Sequence, residues 1–207
     1  MSDVRDRVME GALTCIGRYG MAKTTVDDVA RASGVSRATI YRHFPGGRDQ
    51  VVADVVAWEV GRFFQRMGEA VAAMPDLASL VSEALRFAHR AAAEHEVLQR
   101  VLATEPQRLL PILTVSSDRI LPLVAGFLVP YMERERAAGR LRPGVEVERA
   151  ADFLARMLLS WIRAPGAWDL EDAEQRAALV RGQLLAGILQ PSASAAGPTA
   201  SGGRRSR

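Results

Sequence analysis

The segment Thr24–Phe44, TTVDDVARASGVSRATIYRHF, constrains this chain more than any other stretch. Its punctuation is dense. Thr25 is placed to cap a helix with its side-chain oxygen, and Asp27 and Asp28 complement the positive end of that helix's dipole. Gly34 supplies a turn, Ser36 is a second N-cap, and Pro45-Gly46-Gly47 stops the helix that runs from Arg37 to Phe44. Val29, Ala30, Val35, Ile40 and Phe44 give the two short helices an apolar side, which needs a preceding helix to cover it. That packing leaves Arg37, Ala38, Thr39, Tyr41, Arg42 and His43 available on the second helix. Two short helices joined by a Gly-containing turn in this way fit a DNA-binding helix-turn-helix.

The flanking sequence supplies the missing partners. A first helix is expected from about Ser2 to Tyr19, with Val4, Val8, Ala12, Cys15, Ile16 and Tyr19 along its apolar stripe and Gly20 to end it. A long helix is expected from Arg48 to about Met74, where Pro75 stops it; at 1.5 Å per residue it spans about 39 Å. Further helical patterns cover 77–93, 95–103, 106–114, 117–138, 147–164 and 171–189, with Pro122 and Pro130 predicting a kink or break in the fourth. No stretch shows strand alternation. The reading is an all-α chain of about nine helices: a helix-turn-helix domain over residues 1–47, a helical domain over 48–190, and a disordered tail over 191–207 that is rich in Ser, Ala and Gly.

Charge supports the DNA reading locally and not globally. The net charge of +3 resides in the tail, where Arg204, Arg205 and Arg207 face no acid, so the body is neutral. From Arg31 to Arg48, however, there are four arginines and no carboxylate. Arg37 can donate two hydrogen bonds to a guanine edge, and Ala38 is small enough to let the helix sit deep in the major groove. Thr39, Tyr41 and His43 suit phosphate anchoring, and Arg42 suits either role. Cys15 is the only cysteine, which excludes an intrachain disulfide and a Cys-based zinc site. No signal segment and no membrane span are expected, so the chain is expected in the cytoplasm.

The motif Thr25…Val29-Ala30…Ala32-Ser33-Gly34-Val35-Ser36…Thr39-Ile40-Tyr41…His43-Phe44, with a helix before it and a long helix after it, resembles the DNA-binding domain of the tetracycline-repressor (TetR) family. The resemblance covers roughly residues 6–60. It implies a homodimer that binds a palindromic operator, usually represses, and releases DNA when a ligand enters the C-terminal domain. Carried over by position, Ser36, Arg37, Ala38, Thr39, Tyr41, Arg42 and His43 become DNA contacts, and Thr25 and Arg48 become phosphate contacts. Two departures stand out: Ala38 occupies a position where many members have Gly, and Gly46-Gly47-Arg48 adds one residue after the Phe-Pro pair.

The C-terminal half offers patterns and no motif. Trp58, Phe63, Met67, Phe87, Gln99, Leu102, Phe127, Met157 and Trp161 are the candidates to line an apolar effector cavity. His89, His95, Gln99, Glu105 and Ser160 are polar groups that can orient an effector there. No positive cluster calls for an anionic ligand, so the expected effector is lipophilic. Phe153 and Met157, with Ala178, Gly182, Leu185, Ala186 and Leu189 on the last helix, are the expected dimer interface. A helical enzyme is the rival from another class. There is no His pair at i and i+4, no phosphate-cradling Gly loop and no nucleophile motif, and neither cofactor nor metal is expected. A ligand-independent or activating regulator shares every feature of the motif and stays open.

Overall fold

The computed structural model describes residues 3–163 and 166–191. Among them nine α-helices and one π-helical turn account for the regular structure: α1 (Val4–Tyr19), α2 (Val26–Ser33), α3 (Arg37–His43), α4 (Gly47–Val71), α5 (Leu77–Glu94), α6 (Glu96–Thr104), α7 (Pro106–Ala137), α8 (Val147–Arg163) and α9 (Ala173–Leu179). The expected tail lies outside the described residues apart from Pro191.

Local signals set the first four helices. The Thr25 hydroxyl accepts the Asp28 backbone N–H at 3.1 Å while the Asp28 carboxylate accepts the Thr25 N–H at 3.2 Å, a reciprocal capping box. Gly34 takes the left-handed conformation, φ +65°, that ends α2, and Arg7 donates to the exposed carbonyls of Ser33 and Gly34 at 3.0 Å each. Ser36 then caps α3 by accepting the Thr39 N–H at 3.2 Å. Val8, Met9, Ala12, Cys15 and Ile16 of α1 pack against Val26, Val29, Val35, Ile40 and Phe44, and all ten are buried. Burying a side chain such as Ile40 or Phe44 contributes about 1.5–3 kcal/mol each, which is what holds two otherwise marginal helices in place.

This core does not part at residue 47. Val51, Val52 and Val55 of α4 belong to it, as do Val101 of α6 and Leu109 of α7. Polar contacts take the same route: Arg100 of α6 donates to the Gly17 carbonyl at 2.6 Å, and the Glu105 carboxylate accepts the Ala22 N–H at 2.9 Å. A second core lies between α5, α7, α8 and α9, around Leu80, Val81, Leu85, Leu128, Met132, Leu154 and Leu179.

Two expectations about the distal half are corrected. Residues 106–137 form a single helix, not two, and it passes through Pro122 and Pro130. Both prolines are exposed, whereas Val124, Leu128 and Met132, four residues apart, are buried against α8. Continuous packing on that face outweighs the lost backbone bonds. The last helix is shorter than its pattern predicts: α9 ends at Leu179, Val180–Leu184 form a π-helical turn, and Leu189 pairs with Leu141 in an isolated bridge. The wide turn shifts the register of the residues after it, so Leu185 points into the chain's own core at 2 % exposure. Leu185 is therefore unavailable to an interface, and Leu189 is half-buried against the same core. Ala178, Gly182 and Ala186 stay exposed, as does Phe153 on α8, with Met157 half-buried beside it.

Candidate nucleic-acid interface and effector cavity

The outward face of α3 is built by its inward one. Ile40 and Phe44 are fully buried, which fixes the helix rotation and turns Arg37, Ala38, Tyr41 and Arg42 to solvent. Ser36 is exposed too, while Thr39 and His43 are half-buried at the edges. Arg37 is held across the turn by Asp27, Nε to Oδ1 2.9 Å, with both side chains more than half exposed. Such a surface pair contributes at most about 1 kcal/mol, less than the 1–3 kcal/mol of a good bidentate base contact, so duplex DNA can draw the arginine away. Thr25 is exposed at the start of α2 with its hydroxyl committed to Asp28, and that bond holds the Asp28 carboxyl below the usual range.

Arg48 does something the motif did not foretell. Its guanidinium donates to the carbonyls of Met21, of Ala22 at 3.1 Å and of Thr24 at 3.0 Å, and pairs with Asp49. The extra residue in Gly46-Gly47-Arg48, with Gly47 at φ +62°, turns the side chain back onto the α1–α2 loop. In this arrangement Arg48 clamps the loop, with most of its donors committed within the chain.

Between the two cores lies a cavity of about 280 Å³. Its walls come from α1 (Leu13, Ile16), Met21, α4 (Val55, Glu59, Val60, Phe63, Phe64), α5 (Ala88, Ala91, Ala92), α6 (Val97, Leu98, Val101), Leu109 and Leu159. Its wall is apolar except for Glu59, Arg66 and His95. His95 Nδ1 accepts the Leu98 N–H at 3.1 Å as the cap of α6, so Nε2 carries the ring hydrogen and donates it to Glu59 Oε2 at 3.0 Å. Arg62 donates to the other oxygen, Oε1, at 2.9 Å. The bond from His95 holds the Glu59 carboxyl below the usual glutamate range, with Arg62 and Arg66 assisting and burial opposing.

The residues expected around an effector scatter. Phe63 lines the cavity. Met67 and Phe127, again with Phe63, line a neighbouring void of about 30 Å³. Phe87 packs against Phe63 with ring centroids 5.8 Å apart and tilted by 43°, and lines an adjoining cleft. Trp58 and Leu102 are packed on the N-terminal core, with Arg62 4.6 Å over the Trp58 ring. Gln99 is exposed and donates to the Ala92 carbonyl at 2.7 Å, and Met157 and Trp161 lie on the distal core. Of the polar candidates, His95 is in the wall, whereas Glu105 serves the α1–α2 loop. No local pattern brings residues 13–21 beside 88–101, so the sequence does not show Glu59 or the α1 wall as lining. Among the described residues no group of three metal-ligating side chains forms, and no helix is long and apolar enough to cross a membrane.

Comparison with known proteins decides the family. Residues 8–55 match the model of bacterial regulatory proteins of the tetR family, and residues 76–181 match that of the tetracyclin repressor C-terminal domain. The chain belongs to the TetR family of transcriptional regulators. An uncharacterized HTH-type transcriptional regulator of Mycobacterium tuberculosis is 38 % identical over 47 residues, 23 % of this chain and 25 % of that protein. This match thus spans about a quarter of the length of such relatives. The HTH-type transcriptional repressor KstR2 of Mycolicibacterium smegmatis is 23 % identical over 195 residues, covering 90 % of this chain and 91 % of its own. Among solved structures, the complex of SmeT with triclosan aligns with a TM-score of 0.60 at 20 % identity, over 91 % of this chain and 93 % of the other. SmeT is the repressor of a Stenotrophomonas maltophilia multidrug efflux pump. The TetR assignment makes this chain a regulator and not an enzyme, and its fold is the TetR fold.

Proposed function

We propose that this TetR-family chain is a homodimeric repressor that grips a palindromic operator with α3 and leaves it when an apolar-bodied effector fills the 280 Å³ cavity. One observation carries the reading: the cavity wall is shared between α1 of the DNA-binding core and α4, α5 and α6 of the distal half. An occupant therefore cannot press on α5 and α6 without pressing on α1. Helix α4 links the two ends directly, with Val51, Val52 and Val55 in the N-terminal core and Glu59, Phe63 and Phe64 in the cavity wall. Two recognition helices must lie about 34–36 Å apart to enter successive major grooves, so a small tilt of α4 in each protomer changes operator affinity. The effector weakens DNA binding by its preference for the tilted state, and the coupling is reciprocal.

SmeT bound to triclosan is consistent with an apolar effector on this fold, and KstR2 with repression. For the dimer, Phe153 on α8 and Ala178 on α9 are exposed, as are Gly182 and Ala186 in the segment that follows, and these exposed positions are the ones left to meet a second copy about a two-fold axis. The test is selection of bound duplexes from random DNA, then titration of the chosen operator complex with 1-decanol. An inverted repeat, two chains per site and weakened binding on titration support the proposal. A single unrepeated site bound by one chain, or an operator affinity indifferent to an alcohol that binds the protein, overturns it.

A further inference from the structure

The apolar cavity has a charged neighbour. A cleft of about 410 Å³ is lined by Arg66, Arg86, Phe87, Arg90, Ala91, Glu94 and His95. Arg66, Ala91 and His95 also line the cavity, so the two hollows share a wall. The carboxylates nearby are largely spoken for. Glu83 holds Arg86 at 2.5 Å, Glu94 holds Arg90 at 2.8 Å, and Glu59 takes His95 at 3.0 Å and Arg62 at 2.9 Å. Glu171 adds a more distant negative charge on the side of Arg86 and Arg90. Among the described residues Arg66 has no carboxylate within salt-bridge reach, and it stands where the two hollows meet. Both ring nitrogens of His95 are engaged, so the imidazole has no donor to spare.

We propose that the effector is an amphiphilic carboxylate whose apolar body fills the cavity and whose head pairs with Arg66 at the shared wall. This assignment rests on the effector reading of the cavity and adds the head group to it. Volume sets the size: a dry cavity of about 150 Å³ takes benzene, so roughly twice that volume takes a body on the order of a dozen heavy atoms. The pairings set the charge: a carboxylate completes Arg66, an amine meets it with like charge, and a neutral chain leaves it as it is. The planar guanidinium suits a bidentate carboxylate better than an ammonium would.

The experiment is titration calorimetry on the full chain with three probes of one chain length: decanoate, 1-decanol and decylamine. Decanoate is expected to bind up to about fivefold more tightly than 1-decanol, the scale of one solvent-exposed ion pair, and decylamine no more tightly than 1-decanol. In Arg66→Gln, decanoate falls to the level of 1-decanol while 1-decanol itself is unchanged; Arg86→Gln, whose partner is Glu83, keeps the preference. Arg66 is exposed, so its replacement leaves the fold intact. Binding of 1-decanol and decanoate with equal affinity, or a carboxylate preference that survives in Arg66→Gln, overturns the head-group assignment and leaves the cavity reading standing. Failure of all three probes to bind a chain that still selects its operator overturns both.

Discussion

Gly11 and Gly61 make a pair of opposite predictions from one substitution. Both sit inside helices, where replacing Gly by Ala ordinarily adds about 1 kcal/mol of stability. A Cβ on Gly61 in α4 meets nothing within 4 Å, so Gly61→Ala should realise that gain. A Cβ on Gly11 lies 2.9 Å from Ser33 Cβ, 2.9 Å from Ser33 N and 3.1 Å from Ser33 Cα. Two of these are backbone atoms of α2, so no rotamer change relieves the overlap. Carbon contacts relax near 3.5–4.0 Å, and α2 must move by roughly 0.5–1 Å. Overpacking of this kind costs about 1–3 kcal/mol, which cancels or exceeds the propensity gain. A gap of about 2 kcal/mol between the two variants corresponds to roughly 4–8 °C in Tm for a chain of this length. Urea unfolding of both variants beside wild type measures it, with operator binding as a second readout. Because α3 rides on α2, Gly11→Ala should weaken operator binding, and Gly61→Ala should leave it near wild type. If Gly11→Ala stabilises the chain as much as Gly61→Ala does, the close approach of α1 and α2 is refuted.

The same contacts yield three further expectations. Arg48→Ala should lower unfolding stability by releasing the loop carbonyls of Met21, Ala22 and Thr24; the salt dependence of operator binding should keep its slope, whereas loss of a phosphate contact would reduce it by about one. Glu59, whose carboxyl is held low by His95, contributes stability that is present above the ordinary glutamate value of about 4.3 and is lost as pH falls through its depressed folded value; Glu59→Gln should therefore flatten the acid limb of a stability-against-pH curve, and an unchanged limb would show that the bond carries nothing. Burial pushes the Cys15 thiol up, with Asp28 adding to it, so iodoacetamide should label it only as fast as the chain opens; rapid labelling of the native protein would contradict its placement.

The features legible in the sequence were local. Thr25, Gly34 and Ser36 act on backbone groups within three residues, so their roles as caps and turn could be read from spacing, and the outward face of α3 was fixed once Ile40 and Phe44 were assigned inward. Illegible features depended on distant partners. Pro122 and Pro130 argued for a break in α7, and only the buried face of Val124, Leu128 and Met132 shows why the helix continues. Leu185 had a helical register that the π-helical turn at Val180–Leu184 cancels. Size is visible in sequence, which singles out large apolar residues such as Trp58, Met157 and Trp161, while the walls are mostly small or branched residues such as Ala88, Ala91, Ala92 and Val97. Space is left where side chains are small, and that depends on which helices face one another.

The base-reading role of α3 is tested most directly by Arg37→Ala against a panel of single base-pair changes in the selected operator. If Arg37 leaves Asp27 to read an edge, the variant loses about 1–3 kcal/mol of preference at one base pair in each half-site and discriminates normally elsewhere. Uniform weakening across the whole panel, or no loss at any position, would contradict it.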